Sequence, residues 1–244
     1  MKFIGVDLGW KSGATGLCCI DWKNRQLEIA ALTTKLEIKD ILAWIDGSVP
    51  TNGNGLVAVD APTLIPNQTG MRVPDKLTHH HFGRYHAGCY PANLNRPFAQ
   101  RTVEFGLSLE KRGFNHAPEI EPGKEGRYQI EVFPHPAMIY LFGLERILKY
   151  KRGKIAQRKA ELLKLYNYIL TVLPKLEPRI HLSNFKIALA DINEAKGTKL
   201  KSIEDQLDSL ICAYVGAYWW YWGEKRNLVL GNKNTGYIVV PKPI

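Results

Sequence analysis

The sequence predicts an α/β fold, a mixed five-stranded sheet flanked by helices, with an insertion between the fourth and fifth strands. Two observations predict the sheet. Two short apolar runs close on an aspartate, Asp7 and Asp60, and each reads as a buried central strand. Between them lie two alternating segments joined by a short polar tip. A third observation predicts the helices: 3.6-residue apolar periodicity dominates the C-terminal half.

Taken in order, residues 3–8 form the first strand, closed by the glycine-rich turn around Gly9, Gly13 and Gly16. Residues 15–22 and 26–34 form a hairpin with Asn24-Arg25 near its tip, the second arm alternating around Leu27, Ile29 and Ala31. A short helix over 38–46 places Ile38, Ile41, Leu42 and Ile45 on one face, and Pro50 with the Asn/Gly cluster at 52–55 ends it. The fourth strand is 56–60. Residues 63–126 are rich in Pro, Gly, His and Arg and hold one clear helix, 98–111; this is the insertion. A fifth strand at 128–133 leads through Pro134-His135-Pro136 into a helix near Met138. An amphipathic helix covers 154–173, a longer one 202–222, and a closing hairpin 228–240 turns at 232–236. All of this fits one domain across residues 1–244.

Bulk properties narrow the function. The 244 residues carry 33 Lys and Arg against 23 Asp and Glu, a formal charge of +10. Such a surplus favours a polyanionic partner, nucleic acid above all, although solubility alone also explains it. The four cysteines contain no C-x-x-C pair, and Cys18 and Cys19 point to opposite faces if they lie in a strand. Reduced thiols in a cytoplasmic protein are the expectation. The chain opens directly into a strand, without a signal-peptide layout. Its longest apolar run, 210–222, falls short of the ~20 residues that span a bilayer, so no membrane partner is expected.

The acids carry the chemical argument. If the first and fourth strands are parallel neighbours, Asp7 and Asp60 lie side by side at their carboxyl ends, where open α/β sheets collect ligands. On the last helix Ser202 suits an N-cap with Asp205 at N3, which places Asp205 and Asp208 in the first two turns and on one face. The helix N-terminus there favours their ionised form. Asp7, Asp60, Asp205 and Asp208 thus form a candidate ligand set for Mg²⁺ or Mn²⁺, suited to metal-assisted phosphodiester hydrolysis. Each aspartate alone equally suits a turn or a cap. It is their joint placement that points to a site.

Gly5-Val6-Asp7-Leu8-Gly9 with Thr15-Gly16 resembles the first hairpin of RuvC-type Holliday-junction resolvases and other RNase H-like nucleases. Val59-Asp60-Ala61-Pro62, Glu131-Val132-Phe133-Pro134 and the segment from Asp205 through Asp208-Ser209-Leu210-Ile211-Cys212-Ala213 resemble the family numbered 429 among domains of unknown function. That family is described as predicted RNase H-fold nucleases, and the resemblance runs to Gly236-Tyr237-Ile238-Val239-Val240-Pro241. It implies an RNase H-like fold and metal-binding roles for Asp7, Asp60 and Asp208, with Asp205 a fourth candidate. Glu131 matches the family pattern but departs from the usual nuclease set; it is a further candidate catalytic acid, as a fifth ligand or a group supporting the ligands, or else a structural acid facing the insertion.

A basic run from Arg146 to Lys164 includes Lys149, Lys151, Arg152, Lys154 and Arg158. It can neutralise phosphates, with Tyr150 as a stacking surface, or serve as a solvated face. Arg72, Asp75 and Arg84 of the insertion are expected near the substrate. His79, His80, His81, His86 and Cys89 match no common zinc signature. His135, beside the fifth strand, suits a turn or a proton transfer. The aromatics of the last helix, Tyr214 and Tyr218 to Trp222, suit packing against the sheet or against a second copy in a homodimer, with a base-stacking platform the lesser alternative. The expected activity is a divalent-metal-dependent nuclease. A nucleic-acid-binding module on the same fold is the alternative. An actin-like phosphotransferase is a third and less favoured reading, because that fold needs two related domains with two phosphate loops and one such loop is seen here.

Overall fold

The computed structural model describes residues 1–10 and 13–243. Its central feature is a seven-stranded mixed sheet, mostly parallel. Strands β1 (Lys2–Asp7), β2 (Thr15–Lys23) and β3 (Gln26–Lys35) form an antiparallel meander. The β2–β3 turn puts Asn24 and Arg25 at positive φ (49° and 61°), the backbone of a tight hairpin turn. Helix α1 (Ile38–Ser48) returns the chain to β4 (Gly55–Val59), which pairs parallel with β1. Helices α2 (Val73–Phe82) and α3 (Ala99–Glu110) precede a two-residue strand β5 (Asn115–His116) and then β6 (Arg127–Glu131). Helices α4 (Pro134–Phe142) and α5 (Ile155–Thr171), the short β7 (Ile180–His181) and α6 (Leu189–Glu194) lead to α7 (Gly197–Trp222). Strands β8 (Asn227–Asn232) and β9 (Gly236–Pro241) close the chain as a separate antiparallel hairpin.

The sheet order is β5-β6-β4-β1-β2-β3-β7, so the five expected strands are extended to seven by a two-residue strand at each edge. Segments this short carry no periodicity, and only tertiary pairing creates them. Helix α2 was also outside expectation. Its start, Arg72-Val73-Pro74-Asp75, lacks a Ser, Thr or Asn cap; the Asp75 carboxylate instead accepts from the Arg72 backbone N–H (3.0 Å).

Strand phase divides the core. Phe3, Cys18, Ile20, Leu56 and Ala58 face α7, whereas Ile4, Val6, Leu17, Cys19, Val57 and Val59 pack with Ile41 and Ile45 of α1 and with Phe105 and Leu109 of α3. Cys18 and Cys19 therefore lie on opposite faces, and all four cysteines are free. The 63–126 stretch is thus built into the fold, because α3 packs Phe105 and Leu109 onto one sheet face.

Helix α7 is apolar on almost every side from Leu207 to Trp220 because it is enclosed, between the sheet and a layer containing α4, α5 and β9. Among the described residues no helix is long and apolar enough to cross a membrane. Two glycines let α7 touch the sheet backbone. A Cβ on Gly5 would stand 1.8 Å from the Ser209 carbonyl oxygen, and one on Gly16 would stand 1.9 Å from that of Asp205. No side chain fits at either point.

Candidate active site

The register of the central strands assembles the first two acids. Val6 pairs with Val59, and the Asp60 N–H donates to the Val6 carbonyl (2.8 Å), so Asp7 and Asp60 emerge side by side. Asp7 lies opposite Gly16 on β2, the residue over which Asp205 of α7 is seated. Close contact of helix and sheet at Gly5 and Gly16 therefore brings Asp205 and Asp208 down onto Asp7. The Asp7 and Asp205 carboxyls stand near enough for each to shift the other's titration.

The helix begins earlier than expected. Its N-cap is Lys196, so Ser202 lies within it and Asp205 and Asp208 fall in its third and fourth turns. The capping and dipole arguments for these acids do not hold. Lys201, one turn before Asp205, bonds its carboxylate, and Asp205 and Asp208 are both buried.

Burial dominates the electrostatics. It drives the Asp7 carboxyl well above the ordinary range; Lys151 opposes this and Asp208, Asp60 and Asp205 reinforce it. Burial also pushes Asp60 up to about 7 against the pull of Lys151, and raises Asp205 against Lys201. One Oδ2 oxygen on each of Asp7 and Asp205 is buried without a hydrogen bond. The cation that meets these acids is Lys151. Its Nζ lies 2.5 Å from Asp208 Oδ2 and 3.6 Å from Asp7 Oδ2. Burial lowers the Lys151 pKa, but Asp208 and Asp7 more than offset that and hold it well above its usual value.

Residues 150–152 take three different directions. Tyr150 is fully buried and donates its hydroxyl to Asp208 Oδ1 (2.5 Å). It is therefore a support for the acid and no stacking surface. Lys151 enters the acidic cluster instead of lying on an open basic patch. Arg152 is exposed, as are Lys149 and Lys154. Arg158 is drawn inward, donating to Glu204 (2.7 Å) and to the Tyr150 carbonyl (3.0 Å), and this braces the 150–152 segment against α7.

Glu131 belongs to a different set. It pairs in register with Val59, so it leaves the sheet on the opposite face from Asp60. There Arg72 grips it through two bonds of 2.8 and 2.7 Å, while also donating to Asp75 and to the Leu64 carbonyl. Burial pushes Glu131 up to about 7 against this pull. The Arg72 guanidinium is buried and fully engaged, so it does not meet a phosphate; Asp75 is likewise fully buried. Arg84 is exposed, with its guanidinium over the Tyr85 ring.

A cleft of about 880 Å³ opens over Asp60 and is lined also by Glu131, His135, Lys149, Lys151 and Arg152. Burial lowers the His135 pKa to about 4, so its imidazole is neutral, with Nδ1 unpartnered.

A family model described as "Protein of unknown function (DUF429)" matches residues 5–235. The chain belongs to this family. No curated protein matches it. The matched span of this DUF429 member contains all four clustered aspartates and Lys151, Glu131 and Arg72.

Two cleft residues, Trp10 and Tyr90, escaped the sequence reading. One stands alone in a glycine-rich turn and the other between Cys89 and Pro91, with no pattern to mark either. Among the histidines of 79–86, His79 Nε2 meets the Cys89 carbonyl at 2.7 Å. Among the described residues, no group of three or more His, Cys, Asp or Glu side chains is placed so that it could hold a metal ion. The donor chemistry nevertheless fits a hard divalent cation, because the cluster offers carboxylate oxygens and two of them, on Asp7 and Asp205, are buried without a hydrogen bond.

Proposed function

We propose that this chain is a divalent-metal-dependent nuclease on an RNase H-like fold, with Asp7, Asp60, Asp205 and Asp208 as the residues that would hold Mg²⁺ or Mn²⁺. The observation that carries the reading is the convergence of these acids, from two parallel strands and a helix, at the carboxyl ends of β1 and β4. The antiparallel β1–β2–β3 meander, with β4 and β6 added in parallel beside β1, supports the fold assignment.

Four clustered carboxylates against Lys151 and Lys201 leave an excess of negative charge in a poorly solvated place, and a divalent cation supplies the missing charge. When bound, such an ion activates water and stabilises the leaving oxygen of a phosphodiester. The chain's own groups supply the rest. Tyr150 and Arg158 fix the segment that carries Lys151, and Tyr150 orients Asp208. Lys149 and Arg152, exposed at the cleft, would take the flanking phosphates. Neutral His135 also lines the cleft, as a polar wall beside Lys151.

One observation favours the second reading, a nucleic-acid-binding module without cleavage: Lys151 already neutralises part of the cluster. The Asp7→Asn variant separates the two. Under the nuclease reading the wild type cuts DNA or RNA with Mg²⁺ or Mn²⁺, and Asp7→Asn loses that activity while keeping its fold and its nucleic-acid binding. Undiminished metal-dependent cleavage by Asp7→Asn contradicts it, and a wild type that binds but never cuts favours the module.

A further inference from the structure

The mouth of the acidic cleft carries aromatic surface that the acid chemistry does not use. Trp10 is 42% and Tyr90 58% exposed, although large aromatic side chains are ordinarily covered. Both line the same cleft as Asp60, Lys149 and Arg152. They are held from behind rather than loose. Trp10 packs on buried Phe98 (ring centroids 4.5 Å) and edges against Tyr90 (5.8 Å). The Arg96 guanidinium lies over the Tyr90 ring at 5.0 Å, itself tied by Nε to the Pro91 carbonyl (3.2 Å). Arg101 Nε fastens the Gly9 carbonyl (2.8 Å), which anchors the turn that presents Trp10. A pre-set aromatic surface of this kind loses little freedom when a flat ring is placed on it.

The ligand is defined by what else lines the cleft. Exposed Lys149 and Arg152 call for anionic groups, and the aromatic rings call for flat π-faces. A strand of nucleic acid carries both. A duplex keeps its bases stacked inside and offers no free face to Trp10 or Tyr90, whereas an unpaired strand does. A cleft of about 880 Å³ is in the range of small-molecule pockets, enough for a nucleotide or two.

We infer that Trp10 and Tyr90 form a base-stacking platform that makes this site selective for unpaired nucleotides, so that its substrate is single-stranded nucleic acid or the single-stranded part of a larger structure. The inference rests on the nuclease reading above and adds the substrate class to it.

The test measures binding, with EDTA present so that no turnover occurs. A short fluorescein-labelled oligothymidylate is titrated with the wild-type chain, beside the same oligonucleotide annealed to its complement and a strand of the same length with abasic sites. The wild type should prefer the single strand to the duplex, and abasic substitution should weaken binding. Trp10→Ala and Tyr90→Ala should each weaken single-strand binding about 5- to 150-fold while leaving duplex binding unchanged. Both residues are exposed, so circular dichroism should show the wild-type fold. If the wild type binds single strand, duplex and abasic strand equally, and both variants match it, the platform is refuted while the nuclease reading stands. If the wild type binds no oligonucleotide of any kind, both fall together.

Discussion

Gly16→Ala tests how the site is built. The added methyl would sit 1.9 Å from the Asp205 carbonyl oxygen and 2.4 Å from the carbonyl carbon, both backbone atoms that cannot rotate away. An ordinary contact begins near 3.4 Å, so α7 must lift by about 1.5 Å at this point. Overpacking of this kind costs about 1–3 kcal/mol. Here it also separates Asp205 from Asp7, so metal affinity should fall with stability. Urea denaturation should show a lowered midpoint at unchanged slope, and Mn²⁺ titration followed by electron paramagnetic resonance should show weaker binding. Gly47→Ala is the control. Its Cβ meets nothing within 4 Å in helix α1, so that change should be neutral or stabilise by up to about 1 kcal/mol. A Gly16→Ala protein that melts with the wild type and binds Mn²⁺ equally well refutes the proposed seating of α7.

Two further predictions concern charge. Lys151→Met removes the cation between Asp208 and Asp7, and should destabilise the metal-free protein by about 1–3 kcal/mol, since Lys151 is only partly buried. Mn²⁺ should then raise the melting temperature of the variant more than that of the wild type; an equal rise contradicts competition between Lys151 and the metal. Away from the cleft, burial lowers the pKa of His116 to about 4, with Lys233 adding to the effect. Below about pH 6.5 the unfolded chain takes up a proton that the folded chain refuses, so this residue makes stability fall as pH drops from about 6.5 to about 4. His116→Gln should flatten that part of the pH–stability curve, and an unchanged slope refutes the assignment.

Much of this arrangement is legible in the sequence where one repeating geometry governs it. The two-residue period of a strand puts Asp7 in phase with Gly5, and Asp60 in phase with Ala58, so both fall on the α7 face once β1 and β4 pair in parallel. The same rule also separates Glu131 from the cluster, but only after the register is known: its partner is Val59, one residue out of phase with Asp60. Ser202-Ile203-Glu204-Asp205 imitates a helix start because Gly197 and the polar residues after it hide the true first turn. The 150–152 segment has no periodicity at all, and adjacent Tyr150, Lys151 and Arg152 go to the core, the acid cluster and solvent. Arg72 looked like a phosphate contact because its acidic partner Glu131 lies 59 residues away. Such pairings are decided by tertiary structure, and composition cannot foretell them.

The proposed site requires Asp7, Asp60, Asp205 and Asp208 to hold a divalent cation jointly. Crystals soaked in Mn²⁺ and measured at a wavelength that gives manganese anomalous signal test it directly. An anomalous peak is expected among these four carboxylates, with the Lys151 ammonium moved away from Asp208. Crystals that show no peak there at saturating Mn²⁺, with Lys151 still bridging Asp208 and Asp7, would contradict it.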